Sequence, residues 1–145
     1  MIRLLAMIAL VIAVGPLGGC GGGECTGPNC TPTLDASPGS PWSIEHAFFL
    51  PGGSFAEAQL EMKSGDEVEV EFSIDGEPIE WNVHGHESNG DPIYYETGTD
   101  TAAMYTFTAP ADGFFFTMWE NTGVGVVRIS VKLKLAASTK FVAWF

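Results

Sequence analysis

Period-two alternation of apolar and polar residues constrains this chain more than any other feature of its sequence. Residues 127–135 alternate Val, Ile, Val, Leu and Leu with Arg, Ser, Lys and Lys, and residues 67–74 alternate Val, Val, Phe and Ile with three glutamates and a serine. A β-strand with one buried face has this period. From Ser43 onward no segment shows sustained 3.6-residue periodicity. The alternation therefore predicts an all-β fold.

Turn-forming residues divide this region into eight predicted strands. Glycine, proline, asparagine and aspartate recur about every ten residues, at the spacing typical of short antiparallel strands. The predicted fold is a single antiparallel β-sandwich of about seven to eight strands, with a jelly-roll-like arrangement. The predicted strands are 43–50, 54–62, 67–74, 78–84, 93–96, 102–108, 113–120 and 126–135.

The charges are unevenly distributed along the chain, whose formal net charge is −12. Residues 122–145 contain four basic and no acidic side chains, whereas residues 45–121 contain sixteen acidic and one basic. If the last strand lies beside 67–74, a row of cations faces a row of glutamates, which favours that pairing by a few tenths of a kcal/mol per exposed pair. The acidic composition of the chain argues against nucleic acid as a partner, because each phosphate contact needs a cation.

The N-terminal segment has the pattern of an export signal. Arg3 precedes an apolar run, Leu4 to Val14, which is too short to span a bilayer and ends at Gly15-Pro16. Leu17-Gly18-Gly19-Cys20 resembles the bacterial lipobox, in which the cysteine is lipidated and becomes the first mature residue. An ordinary signal peptide with a chance cysteine is the alternative. The resemblance implies a lipid-anchored protein of the bacterial cell envelope, at the outer membrane, the cell surface or in the periplasm.

Three segments follow from this pattern: a signal peptide at 1–19, a tether at 20–42 and a β-sandwich domain at 43–145. The tether is rich in glycine and proline and cannot bury enough apolar area to fold alone. Cys25 and Cys30 flank a turn-forming Gly-Pro-Asn, so we expect a disulfide between them in an oxidising compartment. The membrane is then contacted through the anchor on Cys20 alone.

One strand carries a resemblance to a known family. The segment from Gly113 to Asn121 resembles the penultimate strand of the GOLD domain, the luminal β-sandwich of the Golgi cargo-receptor family. The shared pattern is a glycine, aromatic residues two and six positions after it, and an asparagine two positions after the second aromatic residue. The resemblance implies the fold and a role in recognising a protein or ligand. Asn121 and Gly123 are residue types that tolerate the left-handed conformation a hairpin needs. The matching residues are Gly113, Phe115, Trp119 and Asn121.

The same strand is apolar on both sides. Phe115 and Trp119 share one side, whereas Phe114, Phe116 and Met118 lie on the other. The second side is either a binding surface for a protein or a small ligand, or it is covered by residues 47–50 or 141–145. Cover is the preferred interpretation, because large exposed apolar patches are uncommon on soluble monomers.

His84 and His86 form a candidate metal pair. Two histidines one residue apart on a strand point to the same side, as two imidazole ligands of copper or zinc do. A polar strand end is the alternative interpretation. A blue-copper site needs a cysteine that the C-terminal half lacks. Further ligands could come from His46, Glu87, Asp91 or Met118.

No catalytic constellation is present in the sequence. It contains no nucleophile turn, phosphate-binding glycine loop or paired acid motif on a defined scaffold. We therefore expect a non-enzymatic recognition lipoprotein without a cofactor. A copper- or zinc-binding lipoprotein is the alternative, and a purely structural envelope component is a third possibility.

Overall fold

The computed structural model describes residues 33–35 and 42–145. Within these residues it contains ten strands and no helix able to cross a membrane. The strands are β1 (Thr33–Asp35), β2 (Trp42–Leu50), β3 (Ser54–Met62), β4 (Glu67–Asp75), β5 (Ile79–His86), β6 (Pro92–Asp100), β7 (Ala102–Thr108), β8 (Gly113–Asn121), β9 (Val127–Leu135) and β10 (Lys140–Trp144).

The strands form two five-stranded antiparallel sheets. The first sheet has the order β1-β2-β9-β4-β7, and the second has the order β10-β3-β8-β5-β6. Strands β2 to β9 pair in a nested way, β2 with β9, β3 with β8, β4 with β7 and β5 with β6. This nesting is the jelly-roll wrapping of a β-sandwich. The predicted all-β antiparallel sandwich is confirmed.

Three strands differ from the sequence-based segmentation. Strand β1 lies within the predicted tether and pairs with β2 at the edge of the first sheet. Strand β10 was not predicted, and β6 extends over Pro92–Asp100 rather than residues 93–96. Cys20, Cys25, Cys30 and the signal segment lie outside the described residues, so their lipidation, disulfide and cleavage remain predictions.

The last long strand does lie beside 67–74, the arrangement that the charge rows favour. In the β4–β9 ladder Glu69 lies opposite Lys134 and Glu71 lies opposite Lys132. Lys134 forms an ion pair with Glu69, and Lys132 forms one with Glu45 of β2 at 2.7 Å. The basic row of β9 thus lies between acidic side chains of β2 and β4 and forms ion pairs with both strands.

The side chains that point inward from both sheets fill the space between them and form the core. Trp119 is completely buried and Phe115 nearly so, as their shared parity predicted. The Phe72 ring packs edge-on against Trp119 at 6.2 Å and against Trp81 at 6.0 Å, which joins β4 to β8 and β5. Burial of large aromatic rings supplies much of the stabilisation of a domain of this size.

Asn121 closes one end of the sandwich through its side chain. Its amide nitrogen donates to Leu50 O at 2.9 Å and Gly125 O at 2.8 Å, and its amide oxygen accepts from Gly123 N at 3.1 Å. The left-handed conformation that these residue types tolerate is not adopted at Asn121 or Gly123. Positive φ occurs among the described residues at four other positions, Gly53, Gly65, Gly76 and Gly90.

Strand β10 extends the second sheet beyond β3 and contains a β-bulge. Phe141 lies opposite Leu60 and Ala143 opposite Gln59, so Val142 is the extra residue. The bulge lets Phe141 and Trp144, three positions apart, both pack on the core, which strict alternation would forbid. Phe145 pairs with Glu57 through two backbone hydrogen bonds of 2.9 Å.

Candidate functional site

The side of the second sheet that faces away from the first sheet, here named the outer face, is the candidate site. Its members alternate along each strand with buried core residues, so their direction follows from the parity of the strands. No further strand of the described residues lies on it, because all ten belong to the two sheets. The outer face includes Phe55, Glu57, Gln59 and Glu61 of β3, Phe114, Phe116, Met118 and Glu120 of β8, Glu80, Asn82, His84 and His86 of β5, Tyr94 of β6, and Lys140 and Phe145 at the β10 edge.

The three residues predicted as a partner surface lie on this face. Phe114 is 53 % exposed, whereas Phe116 and Met118 are half-buried. Residues 47–50 belong to β2 of the first sheet, and residues 141–144 belong to β10 at the edge of the second. Neither segment lies over Phe114 and Phe116. Cover by residues 47–50 or 141–145, the preferred interpretation, is therefore wrong, because the tail extends the sheet in its own plane.

The centre of the outer face is polar and nevertheless buried. Asn82 and His84 are only 7 % and 5 % exposed. The His84 ring stacks on Phe116 with centroids 5.1 Å apart and lies 5.8 Å from the Tyr94 ring. The His86 ring stands edge-on to both His84, at 5.2 Å, and Phe116, at 5.1 Å. Neighbouring side chains of the same face therefore shield this centre from water.

Hydrogen bonds fix the orientation of both imidazoles. His84 Nδ1 donates to Asn82 Oδ1 at 2.8 Å, and His86 Nδ1 donates to Gly90 O at 3.0 Å. Because both oxygens only accept, both neutral rings carry their proton on Nδ1. Each Nε2 atom is left with its lone pair.

Glu57 completes this centre from β3. Its Oε1 atom lies 3.7 Å from His84 Nε2. Burial raises the pKa of the Glu57 carboxyl, and the nearby His86 partly opposes that rise. Burial, followed by the effect of His86, lowers the pKa of His84. Both shifts disfavour the ion pair between Glu57 and His84, so this centre is best described as a desolvated polar cluster.

The structure separates His46 from the other predicted metal ligands. His46 faces the core and packs against Phe48 at 5.2 Å and Trp144 at 4.7 Å. It therefore lies between the sheets, whereas His84 and His86 lie on the outer face. The prediction that His46 completes their site is wrong. The cause is strand parity, which places His46 in the inward row of Ile44 and Phe48.

The acidic candidates lie in the turn after β5. Glu87 accepts from Gly90 N at 2.9 Å through its backbone oxygen, and the Asp91 carboxylate accepts from Asn89 Nδ2 at 2.9 Å. Within residues 42–145, no three histidine, cysteine, aspartate or glutamate side chains are arranged to hold a metal ion. The His84–His86 pair is brought together as predicted, but the full ligand set is not.

Sequence reasoning missed Glu57 and Asn82. Asn82 has the same parity as His84, so a strand assignment over 78–84 already places it beside the imidazole. Glu57 could be found only from the β3–β8–β5 register, in which Glu57 and Asn82 both lie opposite Met118. That register depends on long-range pairing, which no local pattern in the sequence specifies.

The outer face presents aromatic rings, carboxylates and two imidazoles to its surroundings. No protein family model matches this chain, and no curated protein matches it. The functional interpretation therefore rests on the geometry of the outer face.

Proposed function

We propose that this protein is a non-enzymatic, lipid-anchored envelope protein whose β-sandwich recognises a partner through the outer face of its second sheet. The observation that carries the proposal is the ordered polar centre of this face, Asn82 and His84, buried among aromatic side chains although no strand of the described residues covers it. Residues held rigidly at a solvent-facing surface are typical of binding sites, because little ordering entropy is lost when a partner binds.

The position of the N-terminal connection supports the same surface. Strand β1 joins the sandwich at the edge of the first sheet, next to β2. The chain that leads from the proposed anchor at Cys20 therefore enters on the first sheet. The outer face of the second sheet belongs to the other layer of the sandwich.

Photocrosslinking in bacterial cells tests this proposal. Benzoylphenylalanine replaces Phe114 in one variant and Phe49 in another, because the two residues are 53 % and 50 % exposed but lie on opposite sheets. We expect a discrete adduct from position 114 and none from position 49. Equal adducts from both positions, or none from position 114, would contradict the proposal.

Metal binding is a second candidate, favoured by the orientation of the imidazoles. A metal-bound histidine usually donates the proton of its other ring nitrogen to an oxygen, and both His84 and His86 donate from Nδ1 in this way. With Glu57 at 3.7 Å from His84 Nε2, the pair would bind copper or zinc with other ligands from solvent or a partner. Titration with Zn²⁺ and Cu²⁺ should show one site that His86→Ala removes, and absence of stoichiometric binding would eliminate this candidate.

A further inference from the structure

The two outward sides of the sandwich differ in where their cations lie. Strand β9 places Arg128, Lys132 and Lys134 among the acidic residues of β2 and β4 on the first sheet. In the second sheet, strands β3, β5, β6 and β8 contain no lysine or arginine. The edge strand β10 supplies Lys140, which is bound to Glu61 at 3.0 Å. The outer face therefore has carboxylates that the cations of its own sheet leave uncompensated.

Two of these carboxylates belong to directly paired residues. Glu80 and Glu120 lie directly opposite across the β5–β8 ladder. Like charges in this position destabilise a sheet, since their Cβ atoms are about 5 Å apart. A bound cation would relieve the repulsion. A pairing that is unfavourable in the free protein and favourable in a complex is expected at a binding surface for cations.

Exposed phenyl rings lie beside the carboxylates in neighbouring strands. Phe55 is opposite Glu120, and Phe145 is opposite Glu57. Phe114 is opposite Glu61, whose carboxylate a partner cation would share with Lys140. All three rings are exposed. A lysine or arginine side chain can contact a ring face and a carboxylate at once, because cation–π contacts extend to about 6 Å from the ring centroid. An anionic partner would find no comparable pair of favourable contacts at these rings and carboxylates.

The extent of the pattern sets the size of the partner. From Phe55 to Glu61 the face covers six residue steps along β3, which is about 20 Å at the usual rise of a strand. An extended segment of about six residues spans the same distance. Several cationic side chains of one such segment can therefore contact the face together.

We propose that the outer face docks an extended basic protein segment, whose lysine or arginine side chains insert between the exposed phenyl rings and the carboxylates. This inference rests on the proposed function and adds the chemistry of the partner. The carboxylates attract the segment and set its register, while the rings contact the apolar stems of its side chains.

Nuclear magnetic resonance titration of the full chain tests the proposal. The probe is a capped heptapeptide of alternating arginine and glycine, and its counterpart contains glutamate in place of arginine. We expect the arginine peptide to shift amide resonances of β3, β5 and β8, with an affinity that falls as salt is added. Equal binding of the glutamate peptide, shifts centred on the first sheet, or no binding at all would overturn the inference.

Matched charge variants separate a specific site from general attraction to an acidic protein. Glu80→Gln combined with Glu120→Gln should weaken peptide binding about tenfold or more, and should not lower the melting temperature, because it removes a repulsive pair. Glu69→Gln combined with Glu71→Gln removes the same charge from the first sheet and should change affinity less than about twofold. Equal weakening by both double variants would overturn the inference.

The crosslinking experiment keeps this inference distinct from the proposed function. An adduct from position 114 together with no arginine-peptide binding would retain the recognition surface and reject a basic partner. Absence of both the adduct and the peptide shifts would reject both proposals.

Discussion

At the scale of single residues, polar side chains hold the least replaceable positions of this sandwich. Asn121 satisfies three backbone groups of two loops, and Tyr105 reaches across the sheets to Thr117, with 2.7 Å between the two hydroxyl oxygens. Buried groups of this kind cost about 1 to 3 kcal/mol each when a partner is lost. The sequence pattern pointed to Asn121 because of its backbone conformation and not because of its side chain. A local pattern cannot show which distant carbonyl oxygen an amide side chain will reach.

Replacing Asn121 therefore tests its role as a side-chain clamp. We expect Asn121→Ala to lower the free energy of unfolding by about 2 to 4 kcal/mol, because Leu50 O and Gly125 O lose their donor. Asn121→Asp should be no better, since a carboxylate donates nothing to these carbonyls. Urea denaturation measures both changes. Stability within about 0.5 kcal/mol of the wild type would show that the clamp is dispensable.

His46 makes stability depend on pH. Burial lowers its pKa from the ordinary value of 6.5, so the unfolded chain takes up this proton at higher pH than the folded protein does. The free energy of unfolding therefore falls as pH decreases below about 6.5. His84 acts in the same direction. Glu57 acts in the opposite direction, because its raised pKa lets the folded state bind the proton first.

We expect His46→Leu to make the acid-induced loss of stability shallower. The slope should fall by at most about 1.4 kcal/mol per pH unit, the limit for one proton. Stability at pH 8 should be maintained or increased, because His46 Nε2 is buried and has no hydrogen-bond partner among the described residues. Thermal melts between about pH 5 and pH 8 measure the effect. An unchanged slope would mean that His46 does not titrate differently in the two states.

At the scale of strands, alternation predicts the long central strands and misses the edges. Strands β4 and β9 alternate strictly, and the charges that they carry also predict their pairing. Strand β10 lacks this regular alternation because its bulge breaks the period. Strand β6 has a Thr-Gly-Thr segment without apolar alternation, and Gly98 is needed there because a Cβ atom would lie 2.6 Å from the Trp81 ring.

The bulge in β10 makes a prediction about two adjacent residues. Trp144 packs inward against His46 and Trp119, at 4.7 and 5.9 Å between ring centroids, whereas Phe145 is exposed on the outer side. We expect Trp144→Ala to lower the free energy of unfolding by about 2 to 4 kcal/mol, less than for a fully buried tryptophan. Phe145→Ala should lower it by less than about 0.5 kcal/mol. Chemical denaturation of both variants measures the two changes in the free energy of unfolding. Equal costs would contradict the bulged register.

At the scale of the whole molecule, the sequence predicts the fold class more completely than the site. Eight strands in one sandwich follow from local alternation and turns. The outer face follows only from how distant strands pair, since Glu57 reaches His84 through the β3–β8–β5 register. The two sheets share one core yet present different exteriors. The first has cations in its central strand, and the second has carboxylates and exposed aromatic rings without a cation in strands β3, β5, β6 and β8.

The affinity of the crosslinked partner for two phenylalanine variants tests the central claim most directly. Phe114→Ser removes an exposed ring from the outer face, and Phe49→Ser removes one of similar exposure from the first sheet. We expect Phe114→Ser to weaken binding about tenfold or more and Phe49→Ser less than about twofold, with little change in melting temperature for either. If both variants bind the partner as tightly as the wild type, or if both weaken binding equally, the outer face of the second sheet is not the recognition surface.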